Sequence, residues 1–134
     1  MSSTDGGPGH RLEPHTAGWP IRREIAPRSG EPVVHKSACD AFFETALGDE
    51  LKARGIQRLV VSGCMTQYCI DTTVRRAVSL GHDVILAADG HMTADTRVLP
   101  FEQIISHHNS VLDGFDAGAH RVRVCTSSDI LRMI

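Results

Sequence analysis

Cys69 closes the segment Gly63-Cys-Met-Thr-Gln-Tyr-Cys69, which leads from a β-branched run into a stretch of helical periodicity. Thr66 is a good N-cap, and with it in that position Cys69 falls in the first turn of the helix. There the helix dipole and the unpaired N–H groups favour a thiolate and can depress a cysteine pKa well below the free value of about 8.5. The same N–H groups can receive the oxyanion of a tetrahedral intermediate. One helix terminus can therefore activate a nucleophile and stabilise what it forms. Lys36, at the end of another β-branched run, offers a second cation for the thiolate. The alternative is that Cys69 is a small buried hydrophobe, as most free cysteines are. Position in the sequence leaves both readings open.

Other polar residues invite weaker readings. Asp89 and His91 follow a third apolar run, where they can contact substrate or stabilise a turn. His107, His108 and Asn109 suggest a Cys-His-Asn triad with Cys69, but the helical pattern puts His108 on the apolar face and His107 towards solvent, so packing or capping is the simpler reading. No metal or other cofactor is expected at His10, His15 or His91. Cys39, Cys64, Cys69 and Cys125 contain no Cys-x-x-Cys pair, so neither a zinc site nor a redox dithiol is signalled. Trp19, His10 and Arg11 can cover a pocket or another subunit, or simply pack down. Asp71 and Arg75, four apart, suit a surface ion pair.

The elements that must position these residues follow a βα grammar. Residues 1–30 are punctuated by Gly and Pro and read as an arm rather than core, with Asp5 in a loop and not on a strand. Residues 31–134 read as the core of one α/β domain spanning 1–134. Pro32 to His35 predicts a short strand delivering Lys36, and Asp40 to Arg54 a helix stopped by Gly55. Arg58 to Ser62 predicts a buried parallel strand. A second helix follows with the inward stripe Ile70, Val74, Ala77 and Val78. Val84 to Ala88 predicts the next buried strand, with Asp89 to Thr96 leaving its end. Leu99 to Leu112 predicts a third helix, and Arg121 to Cys125 a partly exposed edge strand. The expected architecture is a three-layer domain around a mostly parallel sheet. In such sheets ligands bind beyond the carboxyl ends of the strands, where Lys36, the Gly63–Cys69 turn and Asp89–His91 fall.

Composition narrows the function classes. The 134 residues, 41% hydrophobic and 22% charged, suit one soluble globular domain. A formal net charge of -2 supplies no footprint for a nucleic-acid backbone. No apolar run approaches the roughly 18–20 residues of a membrane span, and no signal peptide is evident, so a cytoplasmic location is expected. The loops lack a Gly-x-Gly-x-x-Gly or phosphate-loop pattern, which argues against a nucleotide site.

Two blocks resemble the isochorismatase-like cysteine hydrolases, the superfamily of nicotinamidases, carbamoylsarcosine amidases and ureidoacrylate amidohydrolases. They are Pro32-Val-Val-His-Lys36 with Ala41-Phe42 and Thr45-Ala-Leu47, and Val60-Val-Ser-Gly-Cys-Met-Thr-Gln-Tyr-Cys-Ile70. Asp71-Thr-Thr, Arg75-Arg-Ala77, Gly81-His-Asp-Val and Ala88-Asp89 continue the resemblance. It implies an isochorismatase-like, Rossmann-like hydrolase fold with Cys69 as nucleophile and Lys36 supporting its thiolate. It also implies an oxyanion hole from the Met65 and Cys69 N–H groups, with a cis peptide between Cys64 and Met65. Tyr68, Asp89 and His91 are then candidate substrate contacts. The implied reaction cleaves a non-peptide C–N bond of a small molecule through a thioester, without a cofactor, in a homo-oligomer. Members that cleave a vinyl ether without the cysteine also exist.

The family's opening strand ends in a catalytic aspartate, and no residue here matches it. An N-terminally truncated domain is therefore expected. Because that strand lies between the lysine and cysteine halves of the sheet, its loss is expected to separate Lys36 from Cys69 and to expose a core face unless the chain rearranges or a partner fills the gap. A catalytically inactive scaffold or binding protein of the same fold is the alternative function.

Overall fold

The computed structural model describes residues 1–133. Its strands form two groups. Strand β1 (Ser2–Thr4) pairs in parallel with β2 (Val34–Lys36), setting Thr4 opposite Lys36. The larger sheet has the order β3-β4-β6-β5, from β3 (Arg58–Cys64), β4 (Asp83–Met92), β5 (Asp116–Ala117) and β6 (His120–Cys125). Strands β3, β4 and β6 run parallel, and the two-residue β5 is antiparallel to β6. The helices are α1 (Leu47–Ala53), α2 (Asp71–Ser79), α3 (Phe101–Leu112) and α4 (Ser127–Met133). A π-helical turn, Thr66–Ile70, leads directly into α2. Among the described residues no helix is long and apolar enough to cross a membrane.

Alternation along β4 builds the three layers, because successive side chains of a strand point to opposite faces. Val84 and Leu86 pack with Val122 against Ile70, Val74, Ala77 and Val78 of the α2 stripe and against Leu112. Ile85 and Ala87 meet Ile130 of α4 on the other face.

Several elements differ from the sequence reading. Residues 1–30 are not all loop: β1 lies among them, and Asp5 directly follows it, donating its backbone N–H to the Lys36 carbonyl at 2.8 Å. The expected helix from Asp40 begins only at Leu47. Before it, Asp40 Oδ1 accepts the Phe42 N–H, Thr45 Oγ1 donates to the Ala41 carbonyl, and Glu44 adopts φ 52°, a left-handed conformation incompatible with a continuing helix. Strand β3 is largely exposed rather than buried, with Val60 at 53%. It pairs with β4 on one edge, and neither β1 nor β2 pairs with its other edge. Strand β4 runs on to Met92, so Asp89, Gly90 and His91 lie within it. Its register against β3 jumps from Val61–Leu86 to Gly63–His91, a bulge that tucks Gly90 against Ser62. Helix α4 was not foreseen.

Candidate functional site

The carboxyl ends of β2 and β3 bring Lys36 and Cys69 together although they are 33 residues apart. Lys36 Nζ donates to Cys69 Sγ at 3.3 Å and to the Ala38 carbonyl at 2.8 Å. The separation expected in the absence of a rearrangement or a partner does not occur. The two groups of strands are indeed unpaired with one another, but the segment after Lys36 is tied to α2. Thr73 donates its hydroxyl to the Cys39 carbonyl at 3.0 Å and accepts the Ala41 N–H at 3.1 Å. Lys36 is only 5% exposed. A buried ammonium requires partners, and these two acceptors supply them.

The turn after β3 is compact. Gly63 has φ 126°, in a region favoured by glycine, and the Cys64–Met65 peptide is cis. Met65, not Thr66, occupies the N-cap position, and its carbonyl accepts N–H groups from both Tyr68 and Ile70. The bond from Ile70 spans five residues and widens the turn at Cys69; π-type turns of this kind are frequent at functional sites. Arg11 reaches this turn from the N-terminal segment and donates to Met65 Sδ at 3.6 Å. Tyr68 is 53% exposed beside it.

Thr66 serves a different purpose from capping. Fully buried, its hydroxyl lies 2.9 Å from His91 Nδ1, and His91 Nε2 lies 2.8 Å from Asn109 Oδ1. Asn109 donates its amide to the Ala88 carbonyl, so its oxygen faces the ring and His91 carries its proton on Nε2. Nδ1 then accepts from Thr66. His91, 4% exposed, thus locks the cysteine-bearing turn to β4 and α3 rather than standing open as a substrate contact. Asp89 is also engaged: its two oxygens take the Ser127 N–H and hydroxyl, both at 2.7 Å, capping α4. Those bonds hold its carboxyl below the usual value of 3.8. His107 is exposed and His108 bonds the Ile104 carbonyl, so Asn109 works with His91 and no triad with Cys69 forms.

Asp5 stands at a strand end, but its carboxylate accepts from Trp19 Nε1 at 2.8 Å and lies 3.2 Å from His35 Nδ1, and it bonds neither Lys36 Nζ nor Cys69. The Trp19 bond, ahead of His35, lowers its pKa below 3.8. Trp19 also stacks on His35 at 5.7 Å, packing the arm down. The foreseen Asp71–Arg75 pair is present at 3.0 Å. Two surface recesses, of about 400 and 200 Å3, lie beside Phe42 and Leu80 and beside Trp19 and Val33, away from Cys69.

A thiol and a buried ammonium in contact, brought together from the carboxyl ends of strands in two parallel-stranded groups, define an α/β protein with a cysteine–lysine site. The Isochorismatase domain family pattern matches residues 2–101, and the chain belongs to that family. It is 41% identical over 96 residues to a streptothricin hydrolase of Streptomyces noursei, covering 72% of this chain and 35% of that protein. It is 35% identical over 74 residues to a ureidoacrylate amidohydrolase of Variovorax paradoxus, covering 54% of this chain and 29% of that one. An isochorismatase from Pseudomonas putida superposes with a TM-score of 0.84 at 26% identity, over 96% of this chain and 66% of that structure. The chain thus spans about a third of the length of these curated relatives.

Proposed function

We propose that the chain carries the cysteine site of a hydrolase acting on an amide-type C–N bond of a small molecule. The contact of 3.3 Å between Lys36 Nζ and Cys69 Sγ carries this reading, because a cation in hydrogen-bonding contact favours the nucleophilic thiolate. Relatives named as hydrolase and amidohydrolase support the bond class. Cys69 attacks the carbonyl carbon, and the N–H groups of Met65 and Cys69 receive the oxyanion. Collapse of the intermediate expels ammonia or an amine and leaves a thioester, which water hydrolyses. The leaving nitrogen requires a proton, and Asp5, bonded to Trp19 and His35, is not placed against the Cys69–Lys36 pair to give it.

The test is release of ammonia or amine from a panel of small amides by the native protein and by Cys69→Ala. Turnover that vanishes in the variant is expected; turnover retained at full rate rejects the mechanism. The exposure of β3 favours one other reading, a non-catalytic scaffold that binds a partner. Cys69-dependent turnover excludes it.

A further inference from the structure

Cys39 lies on the strap that ties Lys36 to the helix of Cys69. Thr73, which holds the Cys39 carbonyl, is four residues after Cys69 and so lies on the same helix face. With Ala41 N–H on Thr73 and Lys36 Nζ on both the Ala38 carbonyl and Cys69 Sγ, residues 38–41 are pinned over that face. The Cys39 backbone is thereby held beside the Lys36 ammonium, which spans 2.8 Å to the preceding Ala38 carbonyl and 3.3 Å to Cys69 Sγ. Burial, and then the charge and hydrogen bond of Cys69, push the Cys39 thiol up, while the Lys36 ammonium pulls it down. Both thiols are free and partly exposed. A partly exposed thiol beside a cation, with a second thiol adjacent, is the arrangement of an oxidisable cysteine and a resolving one. The proposed hydrolysis makes no use of Cys39.

We propose that Cys39 is the resolving thiol of Cys69, closing a reversible Cys39–Cys69 disulfide when the protein meets a hydroperoxide. The Cys69 thiolate attacks a peroxide oxygen and the O–O bond breaks. Cys69 becomes a sulfenic acid, and the departing hydroxide (or alkoxide) takes a proton to leave as water (or alcohol). The Cys39 sulfur then attacks the Cys69 sulfur; the S–S bond forms, the S–O bond breaks, and the hydroxyl leaves with the Cys39 proton as water. Two thiols lose two electrons and the O–O bond gains them. A dithiol reverses the change by exchange. The consequence is a nucleophile that is switched off under oxidation and spared the irreversible sulfinic step. This regulatory consequence rests on the proposed function, whereas the bond itself is detectable without turnover.

The experiment treats the native protein with hydrogen peroxide, blocks residual thiols with N-ethylmaleimide, and maps non-reduced peptides by mass spectrometry. Chymotryptic cleavage after Tyr68 separates Cys64 from Cys69, so the linkage is unambiguous. A Cys39–Cys69 linked peptide is expected, with a loss of about 2 Da that dithiothreitol restores. In Cys39→Ser, Cys69 is expected to gain about 32 Da as the sulfinic acid, which dithiothreitol does not recover. Sulfinic acid at Cys69 in the native protein without the linkage, or linkage of Cys69 to Cys64 or Cys125, overturns the proposal. If Cys39→Ser fails to fold, the native peptide map decides alone. Linkage without turnover on any amide rejects the hydrolase reading and leaves the thiol pair standing; turnover without linkage does the reverse.

Discussion

Replacing Lys36 with methionine removes the ammonium while keeping an unbranched side chain of similar length. At 3.3 Å from Cys69 Sγ, the bare attraction between ammonium and thiolate is about 5 kcal/mol at an effective dielectric of about 20. Desolvation of both groups takes back much of that, and charge-assisted hydrogen bonds net about 1.5–3 kcal/mol. Because Lys36 is buried, little of this is screened by solvent. The thiolate is the species that alkylates, so Lys36→Met should slow iodoacetamide labelling of Cys69 at neutral pH by about 10- to 150-fold. The assay follows the Cys69 peptide by mass spectrometry, with Cys64 as an exposed internal reference and circular dichroism as the check on folding. A folded Lys36→Met protein whose Cys69 labels within about twofold of the native rate would refute the role given to the ammonium.

Three further outcomes test how the site is held. His91→Ala leaves the buried Thr66 hydroxyl without its partner and should cost about 1–3 kcal/mol in a denaturant titration, whereas an unchanged midpoint would show that the lock is idle. Gly90→Ala places a Cβ 2.6 Å from Ala87 Cβ and 3.3 Å from Ser62 Cβ, so about 1–3 kcal/mol of destabilisation is expected; native thermal stability would mean that the β3–β4 bulge relaxes freely. Asp89, held below 3.8 by Ser127, contributes stability that is present above 3.8 and lost as pH falls through its lower folded value. Thermal melts of native protein and Asp89→Asn should therefore differ near neutral pH and converge on acidification, and a gap that persists to about pH 2 would contradict the cap.

The apolar stripe of α2, the Leu59-Val60-Val61 run and the Val84–Ala88 run were legible because helix and strand periodicity are local properties. Cys69 and Lys36 were legible as residue types placed at strand ends, and the resemblance supplied their roles. Asp89 and His91 were legible as strand-end polar groups, but not what they hold. Asp89 meets Ser127 38 residues on, and His91 meets Thr66 and Asn109 on two other elements. Strand β1, with its weakly patterned Ser-Ser-Thr, exists through its ladder with β2, 32 positions later. Helix α1 lost its expected first turns to Asp40 and Thr45 side-chain bonds that compete with the helix ladder.

What the sequence by itself determined is which segments bury an apolar face and which reactive side chains leave their ends. The contact of Lys36 with Cys69, the tie of the Cys39 carbonyl to Thr73 on the helix that follows Cys69 and the burial of His91 were decided only by tertiary structure. Each depends on groups from separate elements meeting within a few ångströms, and periodicity along one segment carries no information about that distance.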